Sequence, residues 1–326
     1  MQHRIETKHL DIGYGQKAVL HQLSLSTCEG ELTALCGPNG AGKSTLLRTL
    51  CGLQPALGGE VIINGKQLQE MKDADRAKAM ALVLTDKIME DRLTVFDLVA
   101  MGRVPFLAWH GGLSKKDVEM TEESLRQVGL LHKRNDNISN ISDGERQRVM
   151  VAKALAQETP IILLDEPTSH LDLPSRIEIT LLLKQLAHAT GKSIIMSTHE
   201  LDLAIQSADH IWLMNHQGVR AAVPEDLMIE GEMQSTFRSD NFCFDDQDGH
   251  CVMTHTPSKA YLPIKVEGNG LKSNWLRRAL MRTGFTISDS APTVIVVEER
   301  DFRLPDGHKV MSVEEVLDWA KVPLRQ

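Results

Sequence analysis

The chain opens on a period of two. Residues 4 to 36 alternate apolar and polar positions, broken at Gly13-Tyr14-Gly15-Gln16 and at Cys28-Glu29-Gly30, which predicts strands joined by short turns. Leu32 to Cys36 is apolar almost throughout and predicts a buried strand, and Lys43 to Leu50 predicts the first turns of a helix. Gly58 to Gly65 reads as a strand closed by an Asn-Gly turn, followed by a helix around Asp73 to Ala79 and a short strand from Ala81 to Leu84. The pattern then turns helical: Thr94 to Met101, a helix opened by Ser114 with Asp117 three residues on and running to about Val128, and a helix opened at Ser142 or Asp143. That last helix has Val149, Val151, Ala152, Leu155 and Ala156 on its apolar side. Ile161 to Leu164 and Ser193 to Met196 predict buried parallel strands, separated by a helix that Pro174 opens and Gly191 ends.

Beyond the helices near 225 to 238 the pattern restarts. Asn241 to Phe244 and Cys251 to Thr254 read as a hairpin around Asp248-Gly249, and Tyr261 to Glu267 as a strand leading through Gly268-Asn269-Gly270 into a helix from Ser273 to Thr283. Trp275, Leu276, Leu280 and Met281 give this helix an apolar face that reads as its own core. A strand from Thr293 to Glu298 and a helix capped by Ser312 and Glu315, ending near Ala320, complete a small α/β domain. The organisation expected is therefore a large domain over 1–236, with a helical insert at about 86–150, and a small one over 237–326.

Composition narrows the class without naming it. With 42% hydrophobic and 25% charged residues, the chain reads as globular, and its 326 residues suffice for two cores. A net charge of −8 argues against nucleic acid as the main partner, since neutralising phosphates needs a basic face. No stretch reaches the roughly 18 apolar residues of a membrane span, and Met1 to Glu6 does not begin a signal peptide. The five cysteines, Cys28, Cys36, Cys51, Cys243 and Cys251, lack metal-ligand spacing and read as free thiols of a reducing compartment, a redox pair between Cys243 and Cys251 being the alternative.

Candidate chemistry concentrates at strand ends. Gly37-Pro38-Asn39-Gly40-Ala41-Gly42-Lys43-Ser44-Thr45 fits the phosphate-loop pattern, in which glycines let the backbone wrap a triphosphate and aim several N–H groups and a helix N-terminus at it. Lys43 suits the β- and γ-phosphates, the Ser44 hydroxyl suits Mg²⁺, and the backbone from Gly40 to Thr45 cradles the rest. Asp165 and Glu166 end an apolar strand, where the first suits the Mg²⁺ shell and the second orienting or activating a water. His199 follows a parallel strand and reaches the same sheet edge, as a γ-phosphate contact. Tyr14 reads either as a strand-end filler or as a ring exposed against an adenine face. Gly268-Asn269-Gly270 lacks a following Gly-Lys-Ser and reads as a structural turn.

In this order Tyr14, the loop Gly37 to Thr45, the signature Ser142 to Gln147, the strand ending in Asp165-Glu166, the turn Ser169 to Asp172 and the switch His199 resemble the ATP-binding cassette family, the motor subunits of ABC transporters, over roughly residues 1 to 236. The resemblance implies a P-loop NTPase fold with a RecA-like core, an antiparallel β subdomain and a helical subdomain, to which the small C-terminal α/β domain is added. It also implies adenine stacking by Tyr14, nucleotide contacts from Ser142 and Gly144, a view across the dimer for Asp172, and catalysis by Glu166, His199 and Lys43. ATP and Mg²⁺ are the implied cofactors. The implied assembly is a head-to-tail homodimer that sandwiches two ATP molecules, at the cytoplasmic face of the membrane.

Leu93 to Arg103, Val104-Pro105-Phe106 and the signature Ser-Asp-Gly-Glu-Arg-Gln-Arg resemble the cassettes of iron-siderophore, haem and cobalamin importers. This implies a separate polytopic permease, whose docking groove Phe96 and Phe106 either line or underlie as insert core, and an external substrate-binding protein. Two positions depart from the family. Thr85 stands where a Mg²⁺-contacting glutamine is usual, which implies slower turnover or altered coupling, and Asp143 stands where glycine is usual, so its carboxylate must point away from the phosphate or be neutralised. The tail resembles regulatory tails that hold the dimer or sense a ligand. Competing readings are a soluble cassette protein acting on ribosomes or DNA, against which the absence of tandem cassettes and of a basic face speaks, and a slow ATP-driven switch, against which the intact Glu166 speaks.

Overall fold

A parallel strand buried on both faces needs apolar side chains at nearly every position, and Leu32–Cys36, Ile161–Leu164 and Ser193–Ser197 are buried throughout. They lie side by side in a six-stranded sheet of order Gly218–Ala222, His210–Asn215, Leu32–Cys36, Ser193–Ser197, Ile161–Leu164, Met80–Val83. Five strands run parallel, and Gly218–Ala222 joins one edge antiparallel. The phosphate loop, Asp165-Glu166 and Thr198-His199 therefore leave the sheet at one carboxyl edge. This computed structural model describes residues 3–15, 17–84, 93–107, 112–237, 242–244, 251–253 and 263–321. Contacts divide the chain into two compact units, Met1–Phe237 with Asp246–Gly249, and Arg238–Asp245 with His250–Gln326.

In the first unit a second, antiparallel sheet orders Lys17–Leu23, His3–Tyr14, Gly58–Ile63 and Lys66–Gln67, with Ser26–Cys28 also paired to His3–Tyr14. The long strand bends where His9 takes φ 47° and the register slips between Lys8 and Asp11. The expected Asn-Gly turn is present, with φ 49° at Asn64 and 79° at Gly65, the left-handed pair that a tight hairpin requires. Both sheets share one core in which Ile5, Leu10, Ile12 and Val61 meet Leu35, Leu163, Ile195 and Trp212. The helix Lys43–Leu50 sits within it, contributing Leu46, Leu47 and Leu50, each worth about 1.5–3 kcal/mol of burial.

The insert is helical as expected. Val95–Ala100, Lys115–Gln127 and Asp143–Ala156 each begin with a complete capping box, built from Thr94 and Asp97, Ser114 and Asp117, and Ser142 and Glu145. The third helix runs to Ala156, as its apolar side predicts, and there a buried cation ties the insert together. Arg103, 2% exposed, donates to Asp117 Oδ1 (2.9 Å), the Ala156 carbonyl (2.7 Å) and Glu158 Oε2 (2.6 Å). Its guanidinium also stacks 4.2 Å from the Phe106 ring, and Arg134 lies 5.0 Å from that of Phe96. Leu201–Ser207, His210–Asn215 and Gly218–Ala222 fill a region to which the sequence pattern assigns no element.

In the second unit Ile264–Glu267 and Thr293–Val297 pair in parallel, and Phe302–Arg303 and Lys309–Val310 extend the sheet antiparallel. Phe242–Phe244 pairs antiparallel with Cys251–Met253, as the hairpin reading expects. The helices Leu271–Arg282 and Val313–Lys321 pack Leu276, Leu280, Val316, Leu317 and Ala320 onto Ile264, Val266, Ile295 and Phe302. One expectation is corrected. Leu276 and Leu280 are fully buried, but Trp275 is 57% and Met281 42% exposed, because a helix over one sheet face turns only one stripe inward.

Candidate active site

The loop after Leu32–Cys36 has the backbone its glycines allow. Gly40 and Gly42 take φ 78° and 108°, and a Cβ on Gly42 would lie 2.9 Å from Val19 Cγ1, so a larger residue is excluded twice over. Gly37 passes so close to the neighbouring strand that a Cβ would stand 2.5 Å from the Met214 carbonyl oxygen. Lys43 is buried, and its Nζ donates to the carbonyls of Gly37 (2.8 Å) and Pro38 (3.1 Å). Burial pushes the pKa of this ammonium down, while Glu166 and Asp165 pull it back up. A partly desolvated cation that spends its donors on two backbone carbonyls is poised for an anion. Thr45 Oγ1 donates to the Tyr14 hydroxyl (2.8 Å), holding the half-exposed ring at the rim of the site.

The acids lie directly across from the loop. Ser44 Oγ donates to Asp165 Oδ1 at 3.2 Å, and Ser197 Oγ donates to the same oxygen at 2.7 Å. Ser197 also accepts the Glu166 N–H at 2.8 Å. Glu166 takes φ 48°, a left-handed conformation costing a non-glycine residue about 1–3 kcal/mol, so its backbone is held by these surroundings. Its Oε1 lies 2.6 Å from His199 Nε2. Tyr14, Asn39, Lys43, Ser44, Glu166 and His199 thereby face one cavity of about 250 Å³, together with Gly40, Gly42, Thr45 and Val19. Gly37 and Ala41 are buried behind it and Pro38 is half-buried. The Ser44 hydroxyl and Asp165 carboxylate converge as hard oxygen donors, a set that fits Mg²⁺.

Ser142, Gly144 and Asp172 are not among the residues lining this cavity. Ser142 caps its helix, accepting the Glu145 N–H (3.2 Å), while its own N–H donates to Glu145 Oε2 (3.1 Å). Lys133, bridged to Glu145 at 2.6 Å, holds that carboxyl below its ordinary range. A Cβ on Gly144 would meet Ser175 Oγ at 2.9 Å. Asp172 caps Leu173–Thr190 by accepting the Ser175 N–H (3.1 Å), and its hydrogen bonding to Ser175 keeps its carboxyl pKa low. The charge of Asp143 is balanced by Arg146, 2.9 Å away. Thr85 lies outside the described residues. Ser197 is the participant that sequence reasoning leaves without a role; its only signal is a hydroxyl at the end of the strand beside Asp165-Glu166.

Comparison with known proteins agrees with this geometry. A family model described as ABC transporter matches residues 20–169, and one described as Iron ABC transporter C-terminal domain matches residues 261–321. An uncharacterized ABC transporter ATP-binding protein of Methanocaldococcus jannaschii is 37% identical over 84% of this chain and 94% of its own length. A petrobactin import ATP-binding protein of Bacillus anthracis is 36% identical over 73% of this chain and 88% of its own. Among solved structures, a chain of a metal-chelate type ABC transporter in an inward-facing conformation superposes with a TM-score of 0.67 at 23% identity, covering 78% of this chain and 98% of that one, a likeness of fold. The phosphate loop, the acid pair and identity sustained along nearly the whole of a relative place the chain in the ABC transporter family, as one of its ATP-hydrolysing, ATP-binding subunits.

Proposed function

We propose that this chain powers the import of an iron-siderophore, haem or cobalamin-type substrate through a partner membrane permease, working as a homodimer at the cytoplasmic face of the membrane and served by a substrate-binding protein. Residues 1–236 form the nucleotide-binding domain and 237–326 an accessory domain. The cargo class is supported by the C-terminal family match and by relatives whose names specify petrobactin, iron(3+)-hydroxamate and ferric enterobactin. Among the described residues no helix is long and apolar enough to cross a membrane, which accords with a separate permease.

The observation that carries the reading is the division of the site. Lys43, Ser44, Glu166 and His199 share one cavity, while Ser142 begins a helix that does not line it. The signature serves a nucleotide when a second copy supplies the opposite half. On binding, Lys43 exchanges its carbonyl partners for the β- and γ-phosphates, Tyr14 stacks on the adenine, and the loop amides cradle the phosphate oxygens. Ser44 and Asp165, and in the family's pattern the Thr85 position, would hold Mg²⁺, which when bound would supply charge compensation. Glu166 orients a water in line with the γ-phosphate and takes its proton; the bond to ADP breaks and its electron pair leaves on the β-phosphate oxygen. His199, beside Glu166, aligns that carboxylate and contacts the γ-phosphate.

Light scattering on the Glu166→Gln variant tests this assembly. With Mg-ATP the variant forms a stable dimer, and adding Ser142→Arg returns it to the mass seen without ATP. A Glu166→Gln chain whose mass ignores ATP, or a Ser142→Arg change without effect, contradicts the composite site.

A further inference from the structure

The helix Leu173–Thr190 carries in its first turn an arginine whose donors leave the helix. Side chains on a helix lean toward its N-terminus, so Arg176 reaches back over the turn that ends in Asp172. Its Nε donates to the Leu171 carbonyl at 2.7 Å and its Nη1 to Glu200 Oε1 at 2.5 Å. Glu200 follows His199 and stands at the N-cap of Leu201–Ser207, yet its side chain accepts no capping hydrogen bond from that helix. The exposed N–H groups of a helix start attract a carboxylate; this one is turned to Arg176 instead.

These bonds close a ring. The Glu166 carbonyl accepts the Ser169 N–H (3.1 Å), the turn runs on to Leu171, Arg176 joins Leu171 to Glu200, and His199 returns to Glu166 at 2.6 Å. On the sheet side Thr198 holds the same segment: its N–H donates to the Leu35 carbonyl (3.1 Å) and its Oγ1 accepts the Glu200 N–H (3.0 Å). The Arg176 and Glu200 side chains are 32% and 34% exposed, and an ion pair so exposed adds little to stability. What it fixes is position. A guanidinium is a rigid planar fork, so a carbonyl and a carboxylate bonded to it keep a set separation.

We propose that Arg176 is a positioning residue for ATP hydrolysis, bracing the His199 segment against the Asp172 turn so that the imidazole stays on Glu166. Arg176 does not line the cavity of Lys43 and Glu166, and it acts through Glu200 and His199. The link rests on the reading of His199 as a γ-phosphate contact that aligns Glu166. In the composite site proposed above the turn looks toward the second copy, so a copy seated on Asp172 bears on His199 through this one side chain.

Steady-state ATP hydrolysis by the full chain tests the link. Arg176→Met and Glu200→Gln are each expected to lower kcat about tenfold with KM for ATP within about twofold of native, a loss of alignment and not of binding. The double variant is no slower than Arg176→Met alone, because either change opens the same link. Native kcat in Arg176→Met, losses that multiply in the double variant, or a raised KM with kcat unchanged each overturn the proposal. So does a fall in kcat that tracks a lowered melting temperature in both single variants, which makes the pair structural. His199→Ala separates the link from the reading beneath it. If that chain hydrolyses ATP at the native rate, the reading of His199 fails; if it is slowed while Arg176→Met is not, the link alone fails.

Discussion

At the residue scale the site depends on one hydroxyl that belongs to no motif. Ser197 donates to Asp165 and accepts from the Glu166 backbone, fixing the two acids relative to each other while Glu166 is held at φ 48°. Its removal leaves the half-buried Glu166 N–H without this acceptor, a cost of about 1 kcal/mol. Ser197→Ala is expected to lower kcat about tenfold or more with KM for ATP unchanged, and Ser197→Thr to restore most of the loss; steady-state kinetics on the three chains check both. At Gly42, where φ is 108° and a Cβ meets Val19, Gly42→Ala is expected to abolish ATP binding while leaving the fold intact, as measured by nucleotide titration beside a thermal melt. That Lys43, Ser44, Glu166 and His199 face one cavity, with Asp165 bonded to Ser44, could be anticipated because these residues stand at fixed spacing or at strand ends. The part played by Ser197 could not, because a serine ending an apolar strand acquires its meaning only from the register that sets Leu164 beside Met196.

At the scale of elements, caps made the helices readable and burial of charge made the insert cohere. Asp117 serves twice, closing the cap with Ser114 and pairing with the buried Arg103. Hydrogen bonding to Ser114, then to Arg103, holds its carboxyl down from 3.8 to about 2. A depressed acid stabilises the fold above its unfolded pKa and loses that contribution as pH falls through the folded value. The native chain is therefore expected to melt higher than Asp117→Asn at neutral pH, and the gap to close between about pH 4 and pH 2, as followed by thermal melts across that range. Short continuous apolar runs marked the parallel core strands, and helical periodicity with capping signals marked the three insert helices. The region Leu201–Ala222 and the two-residue strands Phe302–Arg303 and Lys309–Val310 escaped, the latter because a strand so short carries no period. Trp275 and Met281 were misread as core because an apolar residue one position from a buried stripe points elsewhere on a helix.

At the scale of the whole molecule, the chain unites an ATP-hydrolysing unit of the ABC transporter family with a tail matching an iron ABC transporter C-terminal domain. The family was legible because four motifs occur in order along the chain, whereas the partners of an importer subunit leave no mark on its own sheet. The claim that this cassette drives a permease is tested most directly by affinity capture of tagged Glu166→Gln chain with Mg-ATP from detergent-solubilised native membranes, followed by mass identification of what is bound. The account predicts a stoichiometric polytopic permease, whose identity narrows the cargo among iron chelates, haem and corrinoids. Recovery of the chain with ribosomes, or alone from the soluble fraction, would contradict it.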